Sequence, residues 1–162
     1  MILWKNFNKP RVGIYALLAS LICFVGATIL AVSQIWFIQL ISVKAPLKII
    51  SMVDYWIGSE GTPPSLFELV IAGPIFETMV LLILLFVLTT FLKNRFIICC
   101  VSAVIWGVAH ALINNPANGL PSAWIFFVLS YSVFDWKDDA DKQYFAPLGI
   151  HSLVNAMGYF IL

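Results

Sequence analysis

Charge is missing from this chain in long unbroken runs, and runs of that kind have few ways to fold. Val12 to Val43 is 32 residues without a charge, against the roughly 20 apolar residues that cross a bilayer core. Leu66 to Leu92 is apolar apart from Glu68 and Glu77, and Phe96 to Phe134 holds one ionisable group, His110. Tyr144 to Leu162 carries only His151. The whole chain is 62% apolar and 10% charged, where soluble domains average about 25% charged. So few charges could not cover a soluble fold of 162 residues. A net charge of +1 offers no basic face, so nucleic acid is excluded as a partner. The expected fold is an all-α polytopic membrane protein whose surroundings are the lipid bilayer.

The spans follow from the punctuation. The run Asn114-Asn115-Pro116-Ala117-Asn118-Gly119-Leu120-Pro121 is rich in helix breakers. It divides the third stretch into a span from Phe96 to Ile113 and a short helix from about Ser122 to Phe134. About five membrane helices result, with a polar site expected between the core helices. Lys5, Lys9 and Arg11 before an apolar run resemble the start of a signal peptide, with Ala31-Val32-Ser33 as a cleavage site. The run continues through Val43, too far for a signal, and reads as an uncleaved anchor. Ile49, Ile50, Val53 and Ile57 recur at helical spacing near Trp56, which predicts a short interfacial helix before the turn Gly58–Pro64. The chain therefore divides into an anchor with its interfacial segment, residues 1–65, and a membrane core, residues 66–162. The three cysteines, Cys23, Cys99 and Cys100, show no metal spacing and read as small packing residues.

An ionisable side chain inside a bilayer costs at least a few kcal/mol, so each one needs a reason. Glu68 lies near a helix end, can reach the interface and reads as structural. Glu77 follows Pro74, which cannot donate a backbone hydrogen bond and disturbs the helix there. His110 flanks a stripe of small residues, Ala103, Gly107 and Ala111, of the type that packs helix on helix. His151 and Asn155 are four residues apart, on one face of the last helix. One acid, two imidazoles and an amide suit a hydrolytic site, with a carboxylate base and imidazoles as acid or oxyanion stabiliser. Polar glue between helices and a metal site are the alternatives, although no HExxH is present. A proton-site transporter would call for paired broken helices or repeats, and neither is visible. Depth is in tension with convergence: counted from the basic ends of their helices, Glu77 and His110 lie roughly 20 Å in and His151 about 10 Å. Tilt, or an earlier helix start within Asp138–Gln143, would close that gap.

Three motifs in order carry a family resemblance. Gly73-Pro74-Ile75-Phe76-Glu77-Thr78 resembles the first motif of the CPBP family, the CaaX proteases and bacteriocin-processing or Abi-type membrane proteins, usually Pro followed by Glu-Glu-x-x-x-Arg. Trp106-Gly107-Val108-Ala109-His110 is similar to Phe-x-x-x-His, with Trp for Phe. His151-Ser152-Leu153-Val154-Asn155 is similar to His-x-x-x-Asn. The second Glu position holds Thr78, and the Arg position holds Leu82. The resemblance implies an intramembrane endopeptidase in which Glu77 activates water while His110, His151 and Asn155 orient it or stabilise the oxyanion. It implies a membrane protein or peptide as substrate. Family members are commonly called metalloproteases, so it leaves open a divalent metal such as zinc, with Glu77, His110 and His151 as ligands. A catalytically impaired relative that binds a peptide, as in bacteriocin self-immunity, is the alternative reading.

Seven Lys/Arg residues, Lys5, Lys9, Arg11, Lys93, Arg95, Lys137 and Lys142, fall on one side of the five-helix arrangement, and Lys44 and Lys48 on the other. Cytoplasmic loops carry the Lys/Arg excess, so the expected setting is the bacterial inner membrane with a cytoplasmic N-terminus. A reporter fused to the C-terminus, active only in the cytoplasm, should stay silent; an active fusion refutes this topology.

Overall fold

Without water to receive them, backbone amides and carbonyls in a bilayer must pair within their own segment, which leaves the helix as the form for apolar runs such as these. The computed structural model describes residues 11–41, 65–113 and 116–161, and these are helical almost throughout. They form α1 (Val12–Ile41), α2 (Gly73–Phe91), α3 (Arg95–Ile113), α4 (Gly119–Asp135) and α5 (Ala140–Ile161). A π-helical turn, Glu68–Ala72, leads into α2, and a 3₁₀ turn, Pro116–Asn118, leads into α4. Among the described residues four helices are long and apolar enough to cross a membrane: α1, α2 with its π turn, α3, and α4 with its 3₁₀ turn. The fifth, α5, has 22 residues but opens on Asp141, Lys142 and Gln143. The chain is thus an all-α polytopic membrane protein. The interfacial helix expected around Ile49–Ile57 and the turn Gly58–Pro64 lie outside the described residues, as do Asn114 and Asn115.

The expected break before the fourth helix is shorter than its composition suggested. Pro116 to Asn118 already turn, and Gly119, Leu120 and Pro121 are helical, so the candidate span runs from Pro116 to Asp135, 20 residues. The reason is positional: the first turn of a helix needs no internal N–H donors, so Pro121 sits there without losing a bond. Other ends are capped by side chains. Ser65 and Glu68 form a reciprocal box: the Ser65 N–H donates to Glu68 Oε2 at 2.8 Å, and the Glu68 N–H donates to Ser65 Oγ at 3.2 Å. Glu68 is structural, as expected. Asn94 Oδ1 accepts the Phe96 N–H at 2.9 Å and so starts α3. Asp139 Oδ1 accepts from Lys142 N at 3.2 Å and pairs with the Lys142 ammonium, starting α5.

The central helix is α4, which packs most extensively on α3 and also on α1 and α5. α3 and α4 run antiparallel at close range because small residues meet. A Cβ on Gly107 would stand 2.8 Å from both the Ala123 Cβ and the Gly119 carbonyl oxygen. Ala111 faces Gly119 in the same way. The expected small-residue stripe is therefore the α3–α4 seam, and a buried Ser130–Ser102 hydroxyl bond of 3.0 Å ties it further along. α1 also runs antiparallel to α4, with Tyr15 Oη donating to Asp135 Oδ2 at 2.9 Å and Gln34 Nε2 donating to the Pro116 carbonyl at 3.3 Å. The Trp124 indole lies against Gly26 of α1. Ala16, Cys23 and Ala27 of α1 share one buried core with Leu81, Phe126, Leu129 and Ile150. Cys23 and Cys99 are buried and Cys100 half-buried, all free, which fits packing residues.

The seam makes a clear prediction. Gly107→Val should destabilise the fold by about 1–3 kcal/mol, the usual penalty of overpacking, whereas Gly13→Ala, which meets nothing within 4 Å, should be neutral. Thermal unfolding in detergent compares the two, and equal midpoints would refute the close approach.

Candidate active site

The approach to α2 is shaped by Pro74. In the π turn the Gly73 N–H donates to the Glu68 carbonyl, five residues back. The next donor in that register would be residue 74 for the Leu69 carbonyl, and proline has no N–H. Asn155 of α5 supplies the missing donor: its Nδ2 lies 2.9 Å from the Leu69 carbonyl oxygen. This bond ties α5 to the entry of α2. Glu77, one turn beyond Pro74, is thereby held beside His151, one turn before Asn155.

Three of the sequence-predicted residues converge on one atom. Glu77 Oε2 lies 3.8 Å from His110 Nε2 and 3.6 Å from His151 Nε2. The depth gap narrows because the last helix starts earlier, within the Asp138–Gln143 loop. α5 begins at Ala140, which puts His151 about 16 Å along its helix rather than about 10 Å. Both separations exceed hydrogen-bond length and lie within the reach of a bridging water. Glu77 Oε2 is buried without a hydrogen-bond partner among the described residues, and so is His151 Nδ1. The Glu77 side chain nevertheless keeps 30% of its surface accessible, against 5% for His151.

The imidazoles are held in different ways. His110 Nδ1 lies 3.1 Å from the Trp106 carbonyl oxygen, one helical turn back. A carbonyl only accepts, so Nδ1 carries the proton, and in the neutral ring Nε2 presents a lone pair toward Glu77. Trp106 stacks on Phe126 with ring centroids 4.0 Å apart, and Phe126 in turn contacts the rings of His110 and His151 at 5.4 and 5.5 Å. One fully buried phenyl ring of α4 thus wedges between the two histidines and fixes their spacing.

These groups line a cavity of about 140 Å³, to which Leu69, Asn118, Pro121 and Ser122 also contribute. Asn118 and Phe126 were not anticipated. Asn118 sits within the run read as a break, and the only signal for it is an amide just ahead of a membrane helix. Its Oδ1 is buried without a hydrogen-bond partner among the described residues. Phe126 had no signal beyond apolar spacing. Asn155, expected at the reaction centre, lines the cavity with its amide nitrogen already bonded to Leu69. Thr78, at the resemblance's second Glu position, is fully buried, and Leu82 packs against the apolar core. Among the described residues no three His, Cys, Asp or Glu side chains are arranged to hold a metal ion.

Asn155→Ala should leave the Leu69 carbonyl without its donor and cost about 0.6 kcal/mol, the mean for interhelical bonds in a membrane, and no more than about 1.7 kcal/mol. Asn155→Asp should cost at least as much, because a carboxylate cannot donate. Equal stability of all three proteins would refute the tether.

In comparison with known proteins, the Type II CAAX prenyl endopeptidase Rce1-like family model matches residues 59–157, more than half of the chain. No curated protein and no solved structure matches it.

Proposed function

The chain belongs to the Rce1-like family of type II CAAX prenyl endopeptidases, a family of membrane proteases, and from that premise we propose that it cleaves a peptide bond with a water activated by Glu77. The observation that carries this reading is the meeting of two imidazole nitrogens on one carboxylate oxygen, at 3.6 and 3.8 Å, inside an apolar bundle. Polar glue alone would bring such groups to hydrogen-bond distance; here both nitrogens stand beyond it.

The chemistry follows from the donors and acceptors. Glu77 Oε2 and His110 Nε2 are both acceptors, so one water can donate a proton to each and keep its lone pairs free. As that oxygen bonds to the scissile carbonyl carbon, its proton passes to Glu77 and the carbonyl oxygen becomes an oxyanion. His151, reaching in from the opposite helix, donates Nε2–H to that oxygen. When the carbon–nitrogen bond breaks, the protonated Glu77 returns its proton to the departing amine. Asn155 acts as a positioning residue, because its amide holds the π turn from which Glu77 is hung. Asn118 and Ser122 offer polar contacts to the backbone of a membrane peptide lying in the cavity.

Thr78 and Leu82 stand where the resemblance has Glu and Arg. In this chain the partners of Glu77 are the two imidazoles instead, and a peptide-binding relative without turnover is the reading that remains if they do not suffice.

Glu77→Gln keeps the shape of the side chain but cannot take the proton. It should abolish cleavage of a panel of membrane peptides by the purified protein while thermal stability stays equal or rises, since an expensive buried charge is gone. His151→Ala should lower kcat by about 10²–10³-fold, the typical loss of an oxyanion donor. Undiminished cleavage by the Glu77→Gln protein would end the catalytic assignment. Absence of cleavage by the wild type would favour the binding reading.

A further inference from the structure

His151 is the least anchored of the polar groups at the site. Its Nε2 faces Glu77 Oε2 at 3.6 Å, beyond hydrogen-bond length. Its Nδ1 is buried and has no hydrogen-bond partner among the described residues. An imidazole is ordinarily set in one orientation by the hydrogen bond of its second nitrogen, and the Trp106 carbonyl does this for His110 at 3.1 Å. For His151 an aromatic ring stands in that place. Phe126 meets the imidazole edge to face, with the planes at 78° and the centroids 5.5 Å apart. The His151 side chain keeps only 5% of its surface accessible, so a ring at that distance leaves it little room to turn.

Phe126 is itself held from another helix. It is 1% exposed, and Trp106 of α3 lies flat against it, with the planes 5° apart and the centroids at 4.0 Å. A buried indole usually finds an acceptor for its N–H. The Trp106 Nε1 is buried with no hydrogen-bond partner among the described residues, so stacking, and not a hydrogen bond, sets this ring. Gly107, the next residue along, brings α3 onto Gly119 and Ala123 of α4, and that close approach lets the indole reach the phenyl ring.

We propose that Trp106 is a positioning residue for His151, a side chain on another helix, and that it acts through Phe126. The indole pins the phenyl ring, and the phenyl ring holds the imidazole at the angle from which Nε2 faces Glu77. Trp106 thereby serves the two histidines by separate routes, its backbone carbonyl reaching His110 and its ring reaching His151. The consequence for turnover rests on the peptidase reading above; the positioning does not.

The chain has two histidines, so ring-nitrogen NMR of histidine-labelled protein in detergent reads each imidazole separately. Trp106→Met removes the ring and leaves the backbone carbonyl in place. In that protein His110 should keep its proton on Nδ1, while the His151 signals, a single set in the parent, should split or broaden as the ring takes more than one orientation. Trp106→Phe, which can still stack, should restore the parent spectrum. Phe126→Leu cuts the same link in its middle and gives the same test if the Trp106→Met protein does not fold, as judged by thermal unfolding. An unchanged His151 spectrum in the folded variants overturns the proposal, and so does a disturbance confined to His110. With a membrane peptide that the parent cleaves, Trp106→Met should lower kcat by about 10²-fold, the loss that a misplacement of about 1 Å can bring. KM should stay unchanged, and Trp106→Phe should recover most of the rate. Equal kcat in the Trp106→Met protein and the parent overturns the proposal equally. Absence of cleavage by the parent, with the spectra as expected, removes the peptidase reading and upholds the positioning.

Discussion

A backbone carbonyl in a bilayer has no water to fall back on, and in this protein the Leu69 carbonyl is deprived of its helical donor by Pro74. The remedy is a side chain from another helix, the Asn155 amide at 2.9 Å. Much of the site geometry hangs on that bond. It crosses from α5 to the entry of α2, and it acts one turn away from both Glu77 and His151. A straight α-helix through residues 66–91 would have satisfied itself and needed no partner. The π turn and the proline together create a demand that only the neighbouring helix meets. Irregular helix geometry of this kind often marks functional sites, and here the reason is visible.

A second constraint works at right angles to the first. α3 and α4 approach so closely at Gly107, Gly119 and Ala123 that a single added methyl group would collide with backbone. Close packing lets Phe126 of α4 reach between His110 of α3 and His151 of α5. The tether sets the carboxylate against one imidazole, and the seam sets the other imidazole opposite. Each alone would leave two of the three groups unrelated. α1 adds to this scaffold: its small residues share the core, although all of it precedes the region that matches the family.

The division of charge gives the bundle a direction. The described Lys and Arg gather at the loops beside a closely packed layer, while Asn118 Oδ1, buried without a hydrogen-bond partner among the described residues, and the partly accessible carboxylate lie toward the other end. The same arrangement explains how an acid can sit in a membrane helix at all, since the cavity spares Glu77 a fully apolar setting.

Much of this was legible in the residues. Uncharged runs longer than a bilayer is thick leave a helix no competitor, so α1, α2, α3 and most of α4 follow from composition and length. Ionisable groups are so costly in such runs that Glu77, His110 and His151 stand out without any alignment. The early start of α4 was not legible, because proline breaks a helix interior but is harmless in a first turn, and only the chain's path distinguishes the two. Nor was the start of α5 at Ala140, which rests on the Asp139 cap and moves His151 toward the depth of its partners. Asn155 was visible as a polar residue at helical spacing from His151. That it serves the Leu69 carbonyl could not be read, because the demand arises in a π turn 86 positions away along the chain. Hydrophobicity is a property of each residue and is written locally; the partner of a polar group depends on which helices meet, and only the packed bundle decides that.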